Sequence, residues 1–310
     1  VPASLGTAIA STGFCVLRPN PTRLDNSYLF HWVKTPEFVS HMVQRATGAS
    51  YPAVSDRTVL SSEIPLPPLP EQRRIADILD QADGLRAKRQ AALDDLETLT
   101  QSAFLDMFGS PMANPKDYPV ATMIELVDPK RPVTYGILKP GDDVPDGVPY
   151  VRVVDMTDWS IQSTGLRRTT EAISLQYKRS LLREGDLLLS IRGQVGRLAV
   201  VQADVAGANI TQDTARLVIT GANPIYVLEC LRSAELQRWM QTFTKGAAVR
   251  GINLTDVKRI PVPLPPASDQ RRFSQTANAI QRSRRSSLLS AGNLDLLFAS
   301  LQHRAFRGEL

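Results

Sequence analysis

The chain repeats itself at a spacing of 198 residues. Ile64-Pro65-Leu66-Pro67-Pro68-Leu69-Pro70-Glu71-Gln72-Arg73-Arg74 returns as Ile260-Pro261-Val262-Pro263-Leu264-Pro265-Pro266-Ala267-Ser268-Asp269-Gln270-Arg271-Arg272. Leu96, Leu99, Ser102 and Phe108 match Leu294, Leu297, Ser300 and Phe306 at that offset. Upstream it pairs Tyr28 with Tyr226, Glu37 with Glu235, Gly48 with Gly246, and Val59 with Val257. A solenoid repeat is only about 20–45 residues long, so this one reads as a duplicated domain with its connecting element. Residues 111–310 hold one whole unit, and residues 1–110 hold the second half of another. The repeat length leads to the expectation that roughly 90 residues precede Val1.

A long proline-free run follows each copy of the motif. Within 71–108, Ile75, Ile78, Ala82, Leu85, Arg89, Ala92, Leu96, Leu99 and Ala103 alternate spacings of three and four, a heptad seam broken by Arg89. The helix would span about 35 residues and about 50 Å. Its counterpart over 270–306 keeps a weaker seam of Phe273, Ala277, Ile280, Leu288, Ala291, Leu294, Phe298 and Leu301, with Ser268 or Asp269 able to cap its start. A lone amphipathic helix of this length cannot bury its stripe. Residues 71–109 carry 5 basic and 8 acidic side chains, whereas 271–310 carry 7 and 2. The two helices are therefore expected to pair with each other as an antiparallel coiled coil, the other reading being a separate partner for each. Duplication sets the direction: pseudo-equivalent helices meet head to tail, so Ile75 should face Leu301. Arg271, Arg272, Arg282, Arg284 and Arg285 are expected to meet the acidic helix, with an acidic partner face or DNA phosphates as alternatives.

The segment 148–220 has strand character. Val148–Val154, Leu187–Ile191, Leu198–Val201 and Ala215–Ile219 are short β-branched or apolar runs between turn signals. Glu171–Arg179 could be a short helix. From Pro224 to about Phe243 the apolar period becomes helical, with Asn223 as N-cap and Pro224 at the first position. The fold class expected is α+β: globular domains of mixed strands and helices joined by the two long helices.

Composition narrows the function. The 310 residues include no run near the 18 or so apolar positions that a membrane span needs. Cys15 and Cys230 cannot form a disulfide framework, which favours a cytoplasmic setting, and the unclustered His31, His41 and His303 leave little for a zinc site. Asn223-Pro224-Ile225-Tyr226 resembles the Asn-Pro-Pro-Tyr motif of adenine methyltransferases but lacks its second proline and a glycine-rich cofactor loop, so it reads as a helix start. Gly193-Gln194-Val195-Gly196 has too few glycines for a phosphate loop. The net charge of +5 permits an anionic partner. Contact with DNA needs Arg or Lys for phosphates, and Arg, Lys, Asn or Gln for base edges. The candidates near expected turns are Arg131, Tyr135, Lys139, Arg192, Gln194, Arg197, Lys245 and Arg250, with Gly193, Gly196 and Gly246 beside them.

The Pro-rich Gln-Arg-Arg motif, present twice and each time before a long helix, resembles the conserved regions of specificity subunits of Type I restriction-modification systems. Pro149–Met156, Gly185–Arg197 and Gly246–Asn253 resemble that family's target recognition domain. The resemblance implies four parts: 1–62 as the C-terminal half of a first recognition domain, 63–110 as a central conserved region, 111–262 as a complete second recognition domain, and 263–310 as a C-terminal conserved region. It also implies that two recognition domains read the two halves of a split double-stranded DNA target, held apart by the helices. The implied partners are two copies of the methylation subunit and the restriction/motor subunit. S-adenosylmethionine, ATP and magnesium would reside on those partners, none on this chain, which would not itself be an enzyme. The alternatives are a stand-alone DNA methyltransferase or nuclease component, or a coiled-coil scaffold.

Overall fold

A computed structural model describes residues 9–11, 13–157, 159–246 and 250–310. The chain divides into two compact units: Val1–Asp94 with Arg284–Leu310, and Asp95–Ser283. In chain order the elements are α1 (Asn26–Val33), α2 (Pro36–Arg45), α3 (Asp56–Leu60), α4 (Leu69–Phe108), β1 (Val120–Thr122), α5 (Met123–Leu126), β2 (Thr134–Tyr135), β3 (Val148–Val151), β4 (Arg168–Thr169), α6 (Glu171–Gln176), β5 (Leu187–Ser190), β6 (Leu198–Val200), β7 (Asn209–Ile210), β8 (Thr214–Leu217), α7 (Pro224–Arg232), α8 (Ala234–Thr242), α9 (Leu254–Lys258), β9 (Pro261–Pro263) and α10 (Ala267–Ala305). The architecture is α+β with two long helices, as the sequence implies.

In the unit 95–283 a four-stranded sheet runs in the order β2-β8-β5-β6. Strand side chains alternate faces, and both faces are covered here. Leu187, Leu189, Ala215 and Leu217 share a core with Tyr226, Val227, Cys230 and Leu231 of α7. Leu188 and Ala199 join Val151 and Ile210 in a second core. This explains why β5 reads as an unbroken apolar run rather than an alternating one. The single helix expected over 224–243 is two. Ser233 ends α7, and its hydroxyl accepts from the Leu236 N–H to start α8. Among the described residues, proline-bearing β9 pairs with β1 alone, Val120 opposite Pro263 and Thr122 opposite Pro261, as fits a residue that cannot donate to a ladder.

The duplication extends to individual hydrogen bonds. In one unit Gln72 Oε1 accepts the Asp25 N–H (2.9 Å), and Gln72 Nε2 donates to the Pro67 carbonyl (2.7 Å). In the other, Gln270 Oε1 accepts the Asn223 N–H (2.8 Å), and Gln270 Nε2 donates to the Pro265 carbonyl (2.8 Å). The Tyr28 and Tyr226 hydroxyls donate to the Pro65 and Pro263 carbonyls. Asp25 and Asn223 then cap α1 and α7. The glutamine of the repeated motif is thus a buried clamp that fixes the Pro-rich strap, the long helix and a short helix start together. Gln270→Ala strands the Asn223 amide, and we expect a loss of about 1–3 kcal/mol in urea unfolding of the full chain.

The helices α4 and α10 pack antiparallel. In the first unit Arg86 Nε donates to Asp295 Oδ1 (2.7 Å), Arg89 Nη1 lies 3.5 Å from Ser287 Oγ, and Ile75 and Leu79 share a core with Phe298, Leu301 and Ala305. In the second, Phe104 and Phe108 lie 5.4 and 5.6 Å from Phe273, ring centre to ring centre. The buried seam differs from the one expected. Ile75, Ala82, Arg89, Leu96 and Ala103 face inward or are half-buried, but the alternate positions are Leu79, Arg86, Leu93 and Thr100. Leu85 and Leu99 are 54% and 48% exposed, and Ile78 is only half-buried. On α10, Phe273 and Ile280 are buried, Leu294 and Leu301 half-buried, and Leu288 exposed. From Ile75 the seam can step by four and then three, or by three and then four. Counting apolar residues favours the second, because Arg86 and Thr100 are polar, yet Arg86 packs its guanidinium 4.6 Å over the Phe298 ring. The Arg86–Asp295 pair also reverses the expected sense of charge pairing. Arg271, Arg282 and Arg285 are exposed, and Arg272 pairs with Asp269 of its own helix.

The short helices of the two units differ in cover. Val227, Cys230, Leu231 and Leu236 are fully buried. Their counterparts Leu29, Trp32, Val33 and Phe38 are half-buried and line a groove of about 190 Å³.

Candidate nucleic-acid interface

Both β2 and β5 run antiparallel to β8, with Tyr135 opposite Ala215 and Ser190 opposite Thr214. The exit of β2, the start of β8 and the β5–β6 turn therefore lie at one end of the sheet. Main-chain bonds join them. The Gly136 and Ile137 N–H groups donate to the Thr211 and Ile210 carbonyls, and the Gln212 N–H donates to the Ile137 carbonyl. The Ile191 N–H donates to the Asp213 carbonyl (2.8 Å). A further segment is bound on: the Gly193 N–H donates to the Arg250 carbonyl (2.9 Å), the Ile252 N–H to the Ile191 carbonyl (2.9 Å), and Lys245 and Gly251 exchange both backbone bonds at 2.8 Å.

Most of the expected DNA-contacting residues gather on this rim. Arg192, Gln194, Lys245 and Arg250 are exposed on the two joined turns, and Tyr135 and Lys139 are exposed where β2 ends. Residues Ala247–Val249 of the expected motif lie outside the described residues. Arg197 leads back into β6, with its Nη1 donating to the Val153 and Met156 carbonyls at 3.1 and 3.2 Å. Arg131 departs from expectation. Its guanidinium makes a two-pronged pair with Asp186 (2.8 and 2.7 Å) and donates to the Leu181 carbonyl. The Asp186 side chain is 3% exposed, and this pair sits at the opposite end of β5, so Arg131 is a structural cation.

The β5–β6 turn is held rigidly. The Ser190 hydroxyl donates to the Gln194 carbonyl and accepts the Arg197 N–H. From α8, Gln237 Nε2 donates to the Gly196 carbonyl (3.0 Å), and Gln241 Nε2 to the Val195 carbonyl (3.2 Å). Gly196 has φ +101°, a conformation that side chains with a Cβ rarely adopt, and a Cβ there would also push aside the Gln237 amide, whose Oε1 would lie 2.1 Å away. Gly251 serves the same end: a Cβ would press on the Ile191 carbonyl at 3.0 Å and on Arg192 Cγ at 3.1 Å. Gln212, half-buried beside this turn, was not expected. Its Oε1 accepts from Arg192 Nη1 at 3.0 Å. The only sequence signal for it was its place in the turn before a strand. A cleft of about 430 Å³ beside the turn is lined by Glu97, Met156, Arg197, Arg232 and Gln237 among others.

A duplicated α+β chain that presents braced basic turns at one end of a sheet, with two long helices packed antiparallel, has the features of a nucleic-acid recognition scaffold. The family described as the Type I restriction modification DNA specificity domain matches residues 5–95 and 124–282, and the chain belongs to it. The specificity subunit of Type I restriction enzyme EcoBI from Escherichia coli is 29% identical over 340 residues, covering 98% of this chain and 69% of its own. The EcoKI specificity subunit of Escherichia coli K12 is 23% identical, covering 96% and 68%. A chain solved in work on complex assembly and conformational transition of the type I R-M system is 27% identical, with TM-score 0.59, covering 100% of this chain and 78% of that one. The S subunit from M. genitalium, at 15% identity and TM-score 0.58, shares the fold.

Proposed function

We infer that this chain is the sequence-reading subunit of a Type I restriction-modification complex. It binds duplex DNA through the rim of the 95–283 unit and brings other subunits to the target. The observation that carries this is the joining of the β5–β6 turn to the 245–251 segment, which sets Arg192, Gln194, Lys245 and Arg250 on one preorganised edge. Long flexible cations pay less entropy on binding when the backbone beneath them is already fixed. In this reading the first unit serves the other half of a split target, the paired helices space the two readers, and 1–62, 63–110, 111–262 and 263–310 are the functional segments. Two methylation subunits and a restriction/motor subunit join it in the cytoplasm and hold S-adenosylmethionine, ATP and magnesium. Among the described residues no helix is long and apolar enough to cross a membrane.

Purified chain incubated with duplex DNA and labelled S-adenosylmethionine is expected to transfer no methyl group, and addition of the methylation subunit is expected to start transfer. Sustained transfer by the chain alone would assign the chemistry to it and overturn this reading.

A further inference from the structure

We propose that Arg192 and Gln212 act as one base-reading pair selective for guanine, with Gln212 as the positioning residue. The proposal deepens the DNA-recognition reading and rests on it. An arginine side chain has donors and no acceptor, so the amide facing Arg192 Nη1 at 3.0 Å must present its oxygen. That fixes the Gln212 side chain and one side of the guanidinium. Nε and Nη2 of Arg192 donate to no described residue, and the side chain is exposed. The guanidinium thus keeps a two-donor edge, and a planar two-donor edge matches the O6 and N7 acceptors that only guanine offers in the major groove.

Gln212 on its own would suit adenine, using its oxygen and amide together. The bond from Arg192 turns that oxygen toward the guanidinium, and the two-donor edge of Arg192 meets two acceptors on guanine but only one on adenine, so the pair favours guanine over adenine. Both residues stand on fixed backbone. The Arg192 and Ile191 N–H groups donate to the Asp213 carbonyl, the Gln212 N–H donates to the Ile137 carbonyl, and Gly193 is tied to Arg250. A free arginine on a mobile loop would serve equally well as a phosphate contact; a buttressed one has the directional constraint that base reading requires.

The test is selection of bound duplexes from a randomised library by the full chain, comparing wild type, Arg192→Ala, Gln212→Ala and Gln212→Glu. Wild type should enrich guanine at one position. Arg192→Ala should flatten that position by roughly ten- to a hundredfold in the guanine-to-other ratio. Gln212→Ala should flatten the same position by a smaller factor. Gln212→Glu, which keeps an acceptor for Arg192, should retain the guanine preference while lowering affinity for all duplexes. Arg192 is exposed and Gln212 half-buried, so the thermal midpoint should hold for Arg192→Ala and move little for the Gln212 variants, and the base preference is read on folded protein. Uniform weakening with no change in preference would make Arg192 a phosphate contact and overturn the proposal. So would flattening at two different positions, or an adenine preference lost only in Gln212→Ala. If wild type enriches no sequence, the DNA-recognition reading itself fails, and that outcome is distinct from the others.

Discussion

Asp186→Ala is expected to destabilise the 95–283 unit by about 3–5 kcal/mol, the usual cost of removing one partner of a buried ion pair. The Asp186 side chain is 3% exposed and that of Arg131 16%, so water screens the pair little. Asp186 also accepts the Arg183 N–H at 2.9 Å. Arg216, 3% exposed, spends its guanidinium on the Arg179, Leu181 and Pro132 carbonyls. Burial first, then the neighbouring Arg131, holds the Arg216 pKa below its ordinary value, with Asp186 acting in the opposite sense. Removing Asp186 therefore strips Arg131 of its two-pronged carboxylate partner and leaves Arg216 with the weaker attraction of Asp128. Urea unfolding read by near-ultraviolet circular dichroism, to which Trp159 and Trp239 of this unit contribute, gives the loss. The double variant Arg131→Met with Asp186→Leu should be less damaging than Asp186→Ala, because it removes both desolvated charges together. A loss below about 1 kcal/mol for Asp186→Ala, the range of an exposed pair, would show that the site is solvated.

The same pair shows where reading the chain residue by residue stops. Arg131 looks like a cation beside a turn, and so do Arg192 and Arg250. What separates them is Asp186, 55 positions away, brought opposite Arg131 by the β2-β8-β5 order. Recurrence made the Gln of the Pro-rich motif visible, but its task depends on the Asp25 and Asn223 amides, each 47 residues distant. The long helices, the strands β5, β6 and β8, and the start of α7 were legible because each is carried by local periodicity or a cap. The break at Ser233 was not, since the apolar period continues across it and only the cap geometry reveals two helices. Gln212 joins the rim through a side-chain contact to Arg192 across 20 residues, for which no local pattern exists.

The choice of helix frame yields the other large effect. Leu79→Ala should cost about 2–5 kcal/mol and Phe104→Ala about 3–5 kcal/mol, because both side chains are fully buried. Leu79 packs with Ile75 and Phe298. Phe104 meets Phe108, Tyr226 and Phe273 at ring-centre distances of 5.2–5.5 Å. In contrast, Leu85→Ala and Leu99→Ala should stay within about 0.5 kcal/mol, as exposed substitutions do, although all four residues are large and apolar and both leucines fit a 3-4 repeat. Arg86→Ala should lose modestly. Its partner Asp295 is 60% exposed, so the ion pair contributes at most about 1 kcal/mol, and the contact with the Phe298 ring about as much. Unfolding midpoints for the five variants separate the frames directly. Were Leu85→Ala and Leu99→Ala to cost as much as Leu79→Ala and Phe104→Ala, the seam would run through the more apolar set and the packing described for both helices would be wrong. Cysteines at 89 and 287, bridged by a bifunctional maleimide long enough to replace the reach of the arginine, provide an independent reading of direction, since the Arg89 guanidinium lies 3.5 Å from the Ser287 hydroxyl across the pair. They should crosslink within one chain only if the helices run antiparallel in this frame.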